Sequence, residues 1–330
     1  MREFDYRRAA DVPGAVALLG ADPEARYLGG GTNLVDLMKS GVERPALLVD
    51  VRELPLDRIE VTADGGLRIG ATVTNSDLAA HPEVRRRYPV LAQAVLAGAS
   101  GQLRNMATVG GNLLQRTRCG YFTDLAAPCN KRAPGSGCAA VEGEHHNHAI
   151  LGASAHCVAV HPSDMGVALA ALDAVVSYET ADGPGELPLE DFYLPVGDTP
   201  ERETALPPGA LITAVTLPPA PVAARSRYRK VRERASYAFA IGSIAAALDV
   251  RDGAVREVRL AFGAVASRPW RARAAERALT GGPASADAFA AAADAELAAA
   301  QALPHNGYKV TLTRNLVVAV LTELAEEAAR

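Results

Sequence analysis

Apolar residues open the chain in a strand-like run around Phe4 to Tyr6. Helical spacing follows from Val12 to Leu19, with Asp11 placed to cap the first turn and Pro13 inside it. A second apolar run, Ala25 to Leu28, passes straight into Gly29-Gly30-Gly31-Thr32-Asn33. Helical spacing then resumes at Leu34, Leu37 and Met38, and Ala46 to Val51 reads as another buried strand. The order strand, glycine loop, helix, strand predicts a small βαβ unit with a phosphate-type loop at its crossover. From Ile59 the pattern changes to short alternating strands, Leu67 to Val73 among them, and then to helical segments around Asn75 to Ala80 and Val90 to Gly98. A second glycine loop, Thr108-Val109-Gly110-Gly111-Asn112, lies in this part, which closes with a helix from Ser163 to Leu172 and a strand from Ala174 to Glu179.

Asp182 to Pro221 holds nine prolines and reads as an extended connector with one strand, Leu211 to Leu217. Beyond a boundary near Pro221, the runs Arg227 to Arg232, Ala240 to Val250 and Val255 to Val265 predict an antiparallel sheet with a turn at Asp252-Gly253. Helices from Pro269, Ser285 and Tyr308 are expected to cover one face of that sheet. The predicted organisation is α+β throughout: one subdomain over residues 1–57, a second over 58–221 and a C-terminal domain over 222–330.

The 330 residues, 49% hydrophobic and 22% charged, exclude disorder, collagen and coiled coil. A formal net charge of -4 offers no basic field to nucleic acid or anionic lipid. No apolar run approaches the ~18 to 20 residues of a membrane span, the nearest being Ile241 to Leu248. Arg7 and Arg8 are followed by no apolar stretch of signal type before Asp22 and Pro23. The expectation is a periplasmic chain carried out by a signal-bearing partner, or otherwise a cytoplasmic one.

Glycines at 29, 30 and 31 allow close approach of backbone to a bound group, and the helix after them offers free N–H groups to negative charge. Two such loops in neighbouring units could clasp one extended dinucleotide; two unrelated tight turns are the plain alternative. All four cysteines, Cys119, Cys129, Cys138 and Cys157, fall in one Gly-, Pro- and His-rich segment without periodicity. Their intervals of nine, eight and eighteen residues match neither zinc knuckles nor the common ferredoxin runs. A cubane iron–sulfur cluster, a zinc site of mixed Cys and His, and two disulfides all remain open at this point. Of the nearby histidines, His145, His146 and His148 read as a solvated loop, His161 as orienting the turn before the next helix, and His156 or His161 as reserve ligands. No catalytic triad, HExxH helix or carboxylate pair stands out. The basic strand Tyr228 to Arg234 reads either as a face toward a cofactor or subunit, or as a solvated edge guarded by charge.

The segments LGGGTNLVDLMK (Leu28 to Lys39), ATVGGNLLQ (Ala107 to Gln115), HPSDM (His161 to Met165) and YRKVRERASYAFA (Tyr228 to Ala240) resemble, in order and over essentially the whole chain, the FAD-binding medium subunit of molybdenum hydroxylases. This family includes xanthine dehydrogenase and carbon monoxide dehydrogenase. The resemblance implies a two-subdomain FAD-binding domain of the PCMH type followed by an α+β flavoprotein domain. It implies FAD contacts at Gly29, Gly30, Gly31, Thr32, Asn33 and Leu34, at Thr108, Gly110, Gly111 and Asn112, and at Asp164, Ile212 and Lys230. Ordinary members pass from the second glycine loop to the Ser-Asp motif in about ten residues, whereas some fifty separate Asn112 from Ser163 here.

The excess, an insertion at about residues 114–160, resembles the 4Fe-4S insertion of a few members. It is most similar to that of the bacterial periplasmic aldehyde oxidoreductases and more distantly to that of hydroxybenzoyl-CoA reductase. On this likeness Cys119, Cys129, Cys138 and Cys157 would hold the cluster. The residues after Arg234 lack the acidic pair common in xanthine dehydrogenases, so a nicotinamide site is not implied. The implied function is an electron-transfer subunit of an aldehyde oxidoreductase, in complex with a small 2Fe-2S subunit and a large molybdopterin subunit. It would pass electrons through FAD to an external acceptor. The alternatives are a xanthine dehydrogenase-like or aromatic acyl-CoA reductase complex and, in another class, a zinc-stabilised nucleotide-binding module without redox activity.

Overall fold

Three sheets organise the chain in a computed structural model that describes residues 1–328. In the first, β1 (Asp5–Arg8), β2 (Ala25–Leu28) and β3 (Leu47–Asp50) run parallel in the order β1-β3-β2. The helices Val12–Gly20 and Leu34–Ser40 make the crossovers. Asp11 caps the first helix by accepting the Gly14 N–H at 2.7 Å. Ala15, Val16 and Val49 form a small core that Leu211, from far along the chain, completes. At the end of β3, Asp50 is buried and accepts hydrogen bonds from Arg52 and the Tyr6 hydroxyl.

The second sheet is antiparallel and five-stranded. It contains β4 (Ile59–Val61), β5 (Leu67–Gly70), β6 (Val175–Thr180), β7 (Gly183–Pro188) and β8 (Leu211–Leu217), in the order β4-β5-β8-β6-β7. The expected connector is therefore partly regular: its first residues fold back on β6 as β7 and then form the short helix Leu189–Phe192. Pro184 and Pro188 are tolerated because β7 is an edge strand, where a missing outward N–H costs no ladder bond. The helices Asn75–Ala80, Pro89–Ala97 and Asp164–Ala171 pack over this sheet around Leu91, Leu113 and Leu169.

The third sheet comprises β9 (Ser226–Val231), β10 (Gly242–Arg251), β11 (Ala254–Gly263) and β12 (Trp270–Arg271), in the order β12-β11-β10-β9. Asp252 and Gly253, at φ 50° and 77°, make the two-residue hairpin turn that the sequence announces. The helix expected from Pro269 begins instead at Arg273, because residues 270–271 pair with β11 first. The helices Arg273–Leu279, Ala286–Leu297 and Tyr308–Ala328 close the core over Phe262, Phe289 and Leu321. Among the described residues no helix is long and apolar enough to cross a membrane.

Residues 114–160 contain a single helical turn, Gly120–Thr123, and isolated bridges that pair Cys129 with Cys138 and Ser154 with Cys157. Side-chain and backbone bonds to all three units hold this segment in place. Arg116 donates to Glu43 and to Glu203, each at 2.7 Å, and buried Lys131 reaches Glu203 at 2.7 Å. The Ile150 and Leu151 N–H groups both donate to the Val265 carbonyl.

Candidate cofactor-binding site

A cavity of about 890 Å³ lies where the three units meet, and Gly29 to Leu34, Thr108, Gly110, Gly111, Asn112, Asp164, Ile212 and Lys230 all line it. The two glycine loops touch each other on one wall. A side chain at Gly30 would run into the backbone of Met106 and Ala107, and one at Gly29 would stand 2.8 Å from the Thr108 hydroxyl. Gly31 takes φ 72°, the left-handed region that a side chain disfavours. Thr108 caps the short helix that follows by accepting the Gly111 N–H at 3.2 Å. The first requirement on these glycines is thus loop against loop, which presents two stretches of backbone to one cavity.

On the opposite wall the C-terminal domain supplies β9, whose alternation sorts its charges. Tyr228 and Lys230 point at Asp164: the Tyr228 hydroxyl donates to Oδ1 at 2.5 Å and Lys230 Nζ to Oδ2 at 2.8 Å. Lys230 also reaches the Ala97 carbonyl at 3.2 Å. Burial, reinforced by Asp164, pushes the Tyr228 hydroxyl well above its ordinary range, so it remains a donor. Arg227 and Arg229, on the other face, pair with Glu327 and Glu323 of the helix Tyr308–Ala328. The basic strand thus turns Lys230 toward the cavity, while Arg227 and Arg229 are paired with a helix rather than left at a solvated edge.

Several polar atoms of cavity-lining residues have no partner among the described residues. Asn33 accepts the Arg116 N–H at 2.8 Å through Oδ1, while its buried Nδ2 is free. Asn75 Oδ1 and Arg118 Nε are likewise buried and unbonded. Burial draws the Arg118 guanidinium below its usual range, and Asp36 and Tyr237 only partly oppose this. Phe239 lies flat against it at 4.8 Å, and Tyr237 and Phe239, both largely exposed, stand at the cavity mouth. A part-buried cation and two orphaned amide atoms lining one cavity suit a polyanionic ligand with polar edges. FAD answers to that description. Sequence reasoning did not single out Arg118, Asn75 or the Tyr237–Phe239 rim; Arg118 stands just before a cysteine, and nothing in its neighbours signals a cavity.

Two of the cysteines, Cys119 and Cys129, pack with Phe122 beside this cavity. Leu37 lines the cavity and also belongs to the apolar cluster of Phe122, Cys129 and Cys119, while Cys157 shares another cluster with Cys119. All four thiols are free, so the disulfide alternative is not realised. Burial first, then the proximity of other thiols, pushes Cys119 up and Cys157 to about 11. Such thiols stay protonated until a cation binds. The Ala159 N–H donates to the Cys157 sulfur at 3.5 Å, and the Phe122 N–H to the Cys119 carbonyl at 3.1 Å. One backbone N–H bonded to sulfur, together with four soft donors, suits an iron–sulfur cluster. Among the described residues, no three His, Cys, Asp or Glu side chains form a group arranged to hold one metal ion.

The histidine run departs from the expected solvated loop. His146 is half exposed beside Glu233, but His145 and His148 are buried. His145 stacks on His305 at 4.8 Å and accepts the His305 N–H. His148 Nε2 lies 3.2 Å from Cys119 Sγ. Asn306 and Lys309, both fully buried, hold the backbone of this run from the C-terminal domain. His156 is exposed near Asp198. His161 accepts the Ser163 N–H and meets the Tyr193 ring edge-on, orienting the turn before the helix Asp164–Ala171 as expected.

Comparison with known proteins matches residues 2–220 to the family described as the FAD binding domain in molybdopterin dehydrogenase, and residues 226–324 to the CO dehydrogenase flavoprotein C-terminal domain. The chain is 52% identical to the aldehyde oxidoreductase FAD-binding subunit PaoB of Escherichia coli K12, over 99% of this chain and 100% of that protein. It is 25% identical to the glyceraldehyde dehydrogenase medium chain of Sulfolobus acidocaldarius, over 84% and 82% of the two chains. Among solved structures it resembles carbon monoxide dehydrogenase from Hydrogenophaga pseudoflava, with a TM-score of 0.76, 26% identity and 98% of each chain covered. It shares the fold of quinoline 2-oxidoreductase from Pseudomonas putida 86, with a TM-score of 0.77, 24% identity and 99% of each chain covered.

Proposed function

We propose that this chain, which belongs to the FAD-binding medium subunits of the molybdenum hydroxylases, is the FAD- and 4Fe-4S-bearing electron-transfer subunit of an aldehyde oxidoreductase. The observation that carries the reading is the cavity itself: two abutting glycine loops, a part-buried Arg118 whose Nε is unbonded, and free amide atoms at Asn33 and Asn75. The full-length likeness to an aldehyde oxidoreductase subunit supplies the substrate class. FAD, when bound, exchanges electrons between centres that deliver them singly and an acceptor that takes them in pairs.

The residues of the chain position and insulate that chemistry. The backbone at residues 29–31 and 110–111 leaves room for the pyrophosphate, and Arg118 supplies its counter-charge. The Tyr228–Asp164–Lys230 set fixes the wall between the second subdomain and the C-terminal domain, with every member buried or nearly so. Cys119, Cys129, Cys138 and Cys157 would hold the cluster beside Leu37 and Phe122. A cubane is wider than a single ion, so its thiolates need not converge on one point, and this favours it over zinc for these four donors.

Aldehyde oxidation itself belongs to a large molybdopterin partner, with a small 2Fe-2S partner between the two. Export follows the partners: a chain that folds around two cofactors would reach the periplasm folded, alongside a partner bearing a twin-arginine signal. The test uses the purified complex. Aldehyde should bleach the flavin absorption, and removing FAD should abolish reduction of an external acceptor such as a benzoquinone while aldehyde still reduces the partner centres. Acceptor reduction that survives complete FAD removal would overturn the reading.

A further inference from the structure

The cysteine run contains one side chain whose chemistry the proposed function leaves unused. His148 is buried, its Nε2 lies 3.2 Å from Cys119 Sγ, and its Nδ1 is buried without a partner. The two neutral tautomers are therefore unequal. With the proton on Nδ1, a donor would be orphaned in the interior and, once Cys119 is a thiolate, the Nε2 lone pair would face the sulfur lone pairs. With the proton on Nε2, the only unsatisfied atom is an acceptor and an N–H···S bond is formed.

The backbone that carries this ring is also held from outside the cysteine segment. The His148 carbonyl accepts from Asn306 Nδ2 at 3.3 Å and from Lys309 Nζ at 3.0 Å, and the Ala149 carbonyl from Asn306 at 3.1 Å. Lys309 Nζ also binds the Asn147 carbonyl at 3.0 Å and that of Ala264 at 2.6 Å. These two residues come from the C-terminal domain, more than 150 positions along the chain. They fix the backbone of the histidine where a loop of its own would leave it free.

We propose that His148 is a positioning residue for the iron–sulfur centre: its Nε2–H donates to the Cys119 thiolate and sets the centre's reduction potential, with Asn306 and Lys309 aiming it. This rests on the 4Fe-4S reading above. A donor directed at a ligating sulfur stabilises the reduced, more negative form, so its presence raises the potential. Because the aim comes from another domain, the potential depends on how the C-terminal domain docks.

The most direct probe requires no substitution. In the complex carrying 15N-labelled histidine, pulsed EPR of the dithionite-reduced cluster should show a weak nitrogen coupling that is lost in His148→Leu. In an EPR-monitored redox titration His148→Leu should shift the cluster midpoint to lower potential with iron and FAD content retained. His148→Gln, which keeps an N–H donor, should recover much of the shift, and Asn306→Ala should move the midpoint in the same direction as His148→Leu. Absence of the nitrogen coupling in the iron-loaded wild-type complex, or an unmoved midpoint in an iron-loaded His148→Leu complex, overturns the proposal while leaving the cluster reading intact. A wild-type complex without iron overturns both.

Discussion

Arg118 spans the boundary between the two candidate cofactor sites, since it lines the cavity and the next residue is the first of the four cysteines. Its guanidinium has no carboxylate partner among the described residues, which makes an anionic ligand its natural complement. A charge-assisted hydrogen bond is worth about 1.5–3 kcal/mol, so Arg118→Gln should weaken FAD binding by roughly ten- to a hundredfold and leave the melting temperature of the FAD-free protein nearly unchanged. Titrating FAD into stripped wild-type and variant protein reads this directly. Asp50 makes a different kind of prediction. Burial alone would raise its carboxyl, but hydrogen bonds from Arg52 and Tyr6 outweigh burial and hold it at about 2. A carboxyl depressed in the folded state stabilises above its unfolded value near 4 and loses that contribution as pH falls toward 2. The loss should amount to about 2 kcal/mol in urea unfolding between pH 5 and pH 2, and Asp50→Asn should flatten that limb by the same amount.

At the scale of elements, β9 shows how period-two alternation divides one strand between two tasks, with Tyr228 and Lys230 toward Asp164 and Arg227 and Arg229 toward the C-terminal helix. Removing one partner of the nearly buried Lys230–Asp164 pair leaves the other charge uncompensated. Lys230→Met should therefore cost about 3–5 kcal/mol, and adding Asp164→Leu should recover a large part of it; urea midpoints of the single and double variants check both. Most of these elements were legible locally. Asp11 before Val12, the Asp252-Gly253 turn and the alternation of Leu211 to Leu217 each carry their own signal. The sheet position of β8 was not, because its neighbours β5 and β6 lie far away in sequence. β7 was hidden by its glycines and prolines, which read as linker until the edge of a sheet makes them acceptable. The burial of His145 and His148 was hidden for a related reason: beside Glu142 and Glu144 they look solvated, and the residues that cover them, His305, Asn306 and Lys309, belong to another domain. Likewise the glycine motifs stood out in the sequence, whereas Arg118 and Asn75 have no local mark that points to the cavity.

At the scale of the molecule, the insertion ties the three units together around two candidate cofactor sites. Arg116 joins it to Glu43 of the first subdomain and to Glu203 of the second. Burial would push Glu203 up, but Arg116 and Lys131 hold it below the usual carboxylate range. Ile150, Leu151 and the Asn306–Lys309 clamp join the insertion to the C-terminal domain. Leu37 lines the cavity on one side and packs with Phe122, Cys129 and Cys119 on the other, so the cavity and these thiols are neighbours. The central claim is that this chain carries both FAD and a cubane cluster. It is tested most directly by counting FAD, iron and zinc per chain in the anaerobically purified protein. The account predicts a yellow-brown protein with one FAD and about four irons; a colourless protein that holds zinc in place of iron and binds no flavin would contradict it.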